Sequence, residues 1–311
     1  MFLVVRFSGN PEHFYACIFS VHYLTLFCEN YNLADSCYIF TMKLNSKKPV
    51  AFQGEHGAFS EVAVFGLFKE KVKAEPSQSF VEVFEKVKAG KCEYGVVPVE
   101  NSLGGIVYQV WDMLNEYKLS IIGETKIKIE HCLIVNPGTK LADIKKVLAH
   151  YQAALQCENF LRKHKNWTVE NAYDTAGSVK MIKGKPEMAA IASARAAEIY
   201  DMEIMKKGIQ DSRENYTRFL VICRKPAEAG NKFTCVMSIK HQPGSLLEIL
   251  KIVEKYKINL TSIHSRPNKS KPFQYNFFLE GIFKDSLNKF LSEIKKKCET
   301  FKLLGIYKSN L

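Results

Sequence analysis

From Pro49 onward the chain alternates short apolar runs with amphipathic stretches, and this alternation constrains the fold more than any other feature. "PVAFQG" and "YGVVPVE" have the length and β-branched content of buried strands. "SFVEVFEKVKAG" sets Phe80, Val83, Phe84 and Val87 on one helical face and stops at a glycine. The rhythm continues through "KKVLAH", "YQAALQCENFLRKH", "TVENAY", "DTAGSVKMIKG", "MAAIAS" and "ARAAEIY", and closes with "NYTRFLVICR". Such interleaving predicts an α/β fold of parallel sheets flanked by helices. Ligands then bind where the carboxyl ends of strands meet loops and helix N-termini.

The pattern changes after a polar link, "KPAEAGNK", from Lys225 to Lys232. Beyond it, "FTCVMSIK", "GSLLEILKIVEKYK", "INLTSIHSRP", "PFQYNFFLEGIF", "SLNKFLSEIKKKCET" and "FKLLGIYK" read as β-α-β-β-α-β. That is the order of a small ferredoxin-like domain. The expected division is an N-terminal extension over 1–48, a large domain over 49–226 and a small one over 233–311.

Composition removes several function classes. The formal charge is +12, but the lysines are dispersed and often sit beside Glu, as in "FKEKVKAE". No nucleic-acid-binding motif accompanies them, so no nucleic-acid partner is expected; the charge reads as a solvated surface able to attract acidic small molecules. The nine cysteines show no CxxC, and several lie within apolar runs, which points to reduced thiols in a cytoplasmic protein. The eight histidines lack metal spacing, so neither a metal nor a cofactor is expected. The first segment, Met1 to Lys48, contains "CIFSVHYLTLF", about half of what a membrane span requires, and lacks a signal-peptide pattern. It reads as a poorly ordered or mis-called extension, with Met42 as the expected start and no membrane partner.

Five stretches place polar groups at strand ends. "GEHGAFSE" (Gly54 to Glu61) spaces two glycines at a strand-to-helix turn, where the backbone can approach an anion. "PVENSLGG" sets Glu100, Asn101 and Ser102 directly after a strand. "AHYQAALQC" carries Gln156 into a helix, and "DTAGSV" offers Thr175 and Ser178 as hydrogen-bond donors. "NYTRFL" puts Thr217 and Arg218 at a strand mouth. Alternation sends consecutive strand residues to opposite faces, so a joint role for these two requires a chain that is still turning. Arg218 either awaits an anion or pairs with an internal acid. Together the five stretches describe a cleft for an anion, with neither a Cys-His nor a Ser-His nucleophile pair.

"FQGEHGAFSE", "VPVENSLGG", "AHYQAALQC", "YDTAGSV", "AAIASARAAEIY" and "NYTRFLVI", in this order and spacing, resemble prephenate dehydratase. The "GSLLEIL" and "HSRP" segments resemble the ACT regulatory domain that follows it. The resemblance implies a two-lobed, periplasmic-binding-protein-like catalytic domain, with lobes at about 49–124 plus 208–226 and at 125–207, and no leading chorismate mutase bundle. It implies decarboxylating dehydration of prephenate to phenylpyruvate in phenylalanine biosynthesis. Arogenate dehydratase on the same scaffold is the close alternative, and a non-enzymatic small-anion or amino-acid binder a more distant one. By resemblance, Thr217 assists the departing hydroxyl and Arg218 holds a substrate carboxylate. Glu100 is an acid or a partner of Arg218, while Asn101, Ser102, Gln156, Thr175, Ser178 and Phe219 line the substrate. The effector, phenylalanine, is expected at Gly244, Ser245, Leu246, His264, Ser265, Arg266 and Pro267, between the small domains of a homodimer or homotetramer. His264 stands where the family carries Glu, and "AHYQ" replaces the family's "SHPQ".

Overall fold

The computed structural model of the chain describes residues 48–68, 72–227 and 229–309. The expectation for Met1 to Lys48 falls outside these residues, apart from Lys48 itself.

The first sheet has the order β2-β1-β3-β11-β5, from β1 (Val50–Gln53), β2 (Ala74–Ser77), β3 (Tyr94–Asn101), β5 (Ser120–Lys128) and β11 (Tyr216–Cys223). A short β4 (Gly105–Ile106) pairs with β3. Strands β1, β2 and β3 run parallel, whereas β11 is antiparallel to both β3 and β5. Among the described residues, three helices pack on this sheet: α1 (Phe59–Leu67), α2 (Phe80–Lys88) and α3 (Tyr108–Glu116). Helix α2 forms as its periodicity predicts: Val83, Phe84 and Val87 are buried, and the Ser79 hydroxyl accepts from the Glu82 amide as its N-cap.

The second sheet has the order β10-β6-β9-β7-β8. It is built from β6 (Cys132–Val135), β7 (Lys146–Ala149), β8 (Thr168–Asn171), β9 (Met188–Ala192) and β10 (Glu203–Lys206). Between them come α4 (Tyr151–Gln156), α5 (Glu158–Arg162), α6 (Thr175–Ile182) and α7 (Ala194–Tyr200). Every residue of β9 is buried, which is why it reads as an unbroken apolar run. The chain crosses between these two lobes at residues 129–131 and returns near 207–215. The two crossings are tied together: the Ile129 amide donates to the Asn215 carbonyl and the Ile209 amide to the His131 carbonyl. Strand β5 therefore belongs wholly to the first lobe, and the crossing lies beyond the residue 124 boundary expected from sequence.

The third sheet has the order β13-β14-β12-β15, from β12 (Lys232–Ser238), β13 (Asn259–Pro267), β14 (Tyr275–Ile282) and β15 (Thr300–Tyr307). Helices α8 (Ser245–Lys255) and α9 (Leu287–Lys297) complete the β-α-β-β-α-β order. One face of this sheet packs on its helices through Phe233, Cys235, Met237 and Leu279. The other face joins the large domain: Val236, Phe278, Leu304 and Tyr307 share one core with Trp111, Leu114, Leu220 and Ile222. Lys302 adds a polar clamp by donating to the Leu114, Asn115 and Tyr117 carbonyls, at the carboxyl end of α3. Lys232, assigned from sequence to the end of a polar linker, is instead the buried first residue of β12, and its ammonium lies 2.8 Å from Glu124.

Candidate active site

Strand β11 decides where the most informative residues point. It begins at Tyr216, so Thr217 and Arg218 are already within regular pairing and face opposite ways. Phe219, Val221 and Cys223 follow Thr217 into the core shared with the second lobe, whereas Leu220 and Ile222 follow Arg218 into the core shared with the small domain.

On the Thr217 side, three side-chain amides close a ring. Asn101 Nδ2 donates to Asn215 Oδ1 at 2.8 Å, Asn215 Nδ2 to Gln156 Oε1 at 2.8 Å, and Gln156 Nε2 to Asn101 Oδ1 at 3.3 Å. The orientation is fixed by the backbone, because the Leu103 and Gly104 amides both donate to Asn101 Oδ1, at 3.0 and 2.7 Å. Asn101 Nδ2 therefore faces Thr217 Oγ1, 3.0 Å away, and the threonine oxygen accepts. Its own proton is left to donate elsewhere. His131 Nε2 lies 2.9 Å from Gln156 Oε1 at the other side of the ring. Asn101 and Thr217 come from the first lobe, Gln156 from the second, and Asn215 and His131 from the two crossings.

A second contact between the lobes surrounds "GEHGAFSE". Glu61, 2% exposed, accepts from the Gly57 amide at 2.8 Å and from Arg195 Nε at 3.0 Å, and its other oxygen lies 2.6 Å from His56 Nδ1. Ser193 Oγ donates to the Gly57 carbonyl. Gly57 adopts φ +92°, and a Cβ there would lie 2.6 Å from Ala196 Cα, so glycine is required both by backbone and by space. Asp174 caps α6 by accepting from the Gly177 amide, and a Cβ added at Gly54 would lie 2.9 Å from its Oδ2. Burial raises the Asp174 carboxyl above its ordinary pKa, against the lowering effect of the backbone amides that donate to it.

Residues 50–227 match the family model described as prephenate dehydratase. The chain belongs to the prephenate dehydratase family. It is 38% identical over 250 residues to arogenate dehydratase/prephenate dehydratase 2, chloroplastic, of Arabidopsis thaliana. That alignment covers 76% of this chain and 65% of the relative, so the chain spans just under two thirds of that relative's length. It is 31% identical over 276 residues to the bifunctional chorismate mutase/prephenate dehydratase of Escherichia coli (strain K12), covering 84% of this chain and 70% of that protein. The prephenate dehydratase of Arthrobacter aurescens, solved in complex with L-Phe, superposes with a TM-score of 0.77 at 26% identity, over 84% of this chain and 90% of that one. A structure described as a novel type of quorum quenching acylase gives the same TM-score at 29% identity, over 85% of this chain and 99% of that one.

Within this prephenate dehydratase fold, Thr217, Asn101 and Gln156 converge, and several other expected site residues are engaged elsewhere. Arg218 is 7% exposed, and its guanidinium donates to Glu280 at 2.6 and 3.0 Å, to Glu124 at 3.0 Å and to Glu100 at 3.2 Å. These are internal acids, the alternative that the sequence left open to a substrate carboxylate, and they lie on the face away from Thr217. Burial alone would lower its pKa, but the Glu280 carboxylate overrides that and the pKa is raised. Glu100 is accordingly the partner of Arg218. Ser102 Oγ donates to the Glu214 carbonyl and accepts from the Tyr216 amide, so it anchors the returning crossing. Ser178 is fully buried and donates to the Thr175 carbonyl, while Phe219 is a core residue; neither lines a cleft. Thr175 opens α6 and is half-buried.

In the small domain, His264 and Arg266 turn toward the large domain. The His264 ring stacks on Phe278, with centroids 5.0 Å apart, and meets the edge of Trp111 at 4.6 Å. Arg266 pairs with both oxygens of Asp112 and lies over the Tyr108 ring. Both are engaged with the large domain, whereas Gly244, Ser265 and Pro267 are exposed and Ser245 and Leu246 half-buried. His131 lies outside the motifs singled out in the sequence, while Asn215, Glu61 and Asp174 lie within them but carry no local pattern that separates them from ordinary cap or core residues.

Proposed function

We propose that the protein catalyses the decarboxylating dehydration of prephenate to phenylpyruvate. The observation that carries this reading is the Thr217 hydroxyl, whose oxygen is occupied by Asn101 Nδ2 and whose proton is therefore available to a leaving group. As the carboxylate departs as carbon dioxide, its bonding pair moves into the ring, and the ring hydroxyl leaves on the other side of the aromatising system. A donor aimed at that hydroxyl stabilises the charge it develops, an effect typically worth about 10²–10⁴ in rate. Asn101, Gln156 and Asn215 hold the donor and close the site across the lobes. Arg218 braces β11 from behind.

Arogenate is the second reading. It undergoes the same elimination, and it is favoured by the names of the relatives, including arogenate dehydratase 2 of Petunia hybrida at 36% identity over 85% of this chain. The β-α-β-β-α-β domain is proposed as an ACT regulatory domain that binds phenylalanine near Gly244 to Leu246 in a homodimer or homotetramer. The Arthrobacter aurescens structure in complex with L-Phe supports that assignment. The test is turnover with prephenate and arogenate in parallel, following phenylpyruvate and phenylalanine, with and without added phenylalanine. Phenylpyruvate from prephenate is the expected result; turnover of arogenate alone selects the second reading, and turnover of neither rejects both.

A further inference from the structure

We propose that His131, held as the neutral Nε2–H tautomer, is a positioning residue that holds Gln156 in the amide-ring direction set at Asn101 by the Leu103 and Gly104 amides, and so helps to keep the Thr217 proton outward. This rests on the reading of Thr217 as the hydrogen-bond donor of the dehydration. A closed ring of three amides has two self-consistent directions, and each exchanges every donor for an acceptor. In the observed direction His131 donates into the ring at Gln156 Oε1, and Asn101 donates out of it to Thr217. In the reverse direction Asn101 would turn its NH₂ toward the Leu103 and Gly104 amides and its oxygen toward Thr217. The threonine proton would then be drawn into the ring and lost to the leaving group.

Three sets of groups outside the ring break this symmetry: the backbone amides at Asn101 Oδ1, the Tyr216 carbonyl, which accepts from Asn101 Nδ2 at 3.1 Å, and His131 at Gln156. The histidine is well placed for that task. It is 2% exposed, its backbone amide donates to Gln210 Oε1, its carbonyl accepts from Ile209, and Phe59 packs edge-on at 5.5 Å. Its Nδ1 is buried with no hydrogen-bond partner among the described residues. A proton there would be an orphaned donor, whereas a bare lone pair is the cheaper state to leave unmatched. Nε2 therefore carries the proton. Burial also holds the imidazole below its ordinary pKa, against the opposing effect of the Gln156 hydrogen bond.

The proposal is tested by long-range ¹⁵N NMR of the wild-type imidazoles at neutral pH, with the His131 signal assigned by its loss in His131→Gln. A protonated Nε2 with a bare Nδ1 is expected; an Nδ1–H tautomer or an imidazolium overturns the proposal, whatever the enzyme's substrate. Kinetics supply the second measurement. His131→Phe keeps the ring shape and removes the donor, and should lower kcat about tenfold to a hundredfold with KM changed less than about threefold. His131→Gln, whose amide nitrogen falls near Nε2, should restore most of kcat. Wild-type kcat in His131→Phe, or no recovery in a folded His131→Gln, overturns the positioning role. Should His131→Phe not fold, the tautomer measurement decides. A wild-type enzyme that turns over neither prephenate nor arogenate rejects the functional reading instead.

Discussion

Thr217 and Arg218 are adjacent in β11 yet act on opposite faces: Thr217 Oγ1 lies 3.0 Å from Asn101 in the site between the lobes, while Arg218 grips Glu280 of the small domain at 2.6 Å. A displacement of Glu280 therefore reaches the neighbour of the proposed donor through one side chain. The buried group extends further. Lys232 pairs with Glu124, and Thr234 and Tyr307 hydroxyls both reach Glu280 Oε1.

Thr217→Val should remove the proton donor while preserving the side-chain volume. We expect kcat to fall by about 10²–10⁴. Thermal unfolding should shift little, because Thr217 is only half-buried and lies at the start of its strand. Turnover close to wild type in a correctly folded Thr217→Val protein rejects the role given to this hydroxyl.

Glu280→Ala leaves the Arg218 guanidinium buried with one fewer carboxylate. Breaking a buried pair from one side typically costs about 3–5 kcal/mol, so a large fall in unfolding free energy is expected. Glu280→Gln retains an acceptor for Thr234 and Tyr307 and should cost less. Chemical denaturation of the two variants measures the difference, and equal stability of Glu280→Ala and wild type contradicts the picture.

Gly57→Ala tests the contact between the lobes. The added Cβ meets the Ala196 backbone and demands a left-handed conformation, with strain of about 1–3 kcal/mol at such a site. The lobes are expected to separate locally, weakening the Arg195–Glu61 and Ser193–Gly57 bonds and raising KM more than it lowers kcat. Unchanged KM and unchanged stability would show that the contact tolerates a side chain.

His264 gives the protein a specific response to acid. Burial lowers its pKa from 6.5 to about 4, with Arg218 and Arg266 assisting and Glu280 opposing. Between those values the unfolded chain binds a proton that the folded chain refuses, so stability is lost as pH falls from 6.5 toward 4, by roughly 3 kcal/mol at most. Both ring nitrogens are buried without partners among the described residues, so His264→Phe should preserve the stacking, raise stability by about 1 kcal/mol at pH 7 and flatten this part of the pH profile. A profile from pH 4 to 7 identical to wild type would falsify the assignment.

The sequence by itself determined the main elements and their order. Periodicity is a local property, and Val83, Phe84 and Val87 of α2 or the apolar run of β9 declare their burial within a few residues. The family motifs likewise marked Asn101, Gln156 and Thr217, three residues that the fold brings into hydrogen-bonded contact. Tertiary structure alone decided the fate of charged and polar side chains whose partners are distant in sequence. Arg218 meets Glu280 across 62 residues, Asn101 meets Asn215 across 114, and Arg266 meets Asp112 across 154. A guanidinium at a strand mouth looks the same in sequence whether it awaits a substrate or a carboxylate of its own chain. The deciding facts are the phase of β11 and the docking of the third sheet behind it, which set a buried acid where the arginine points.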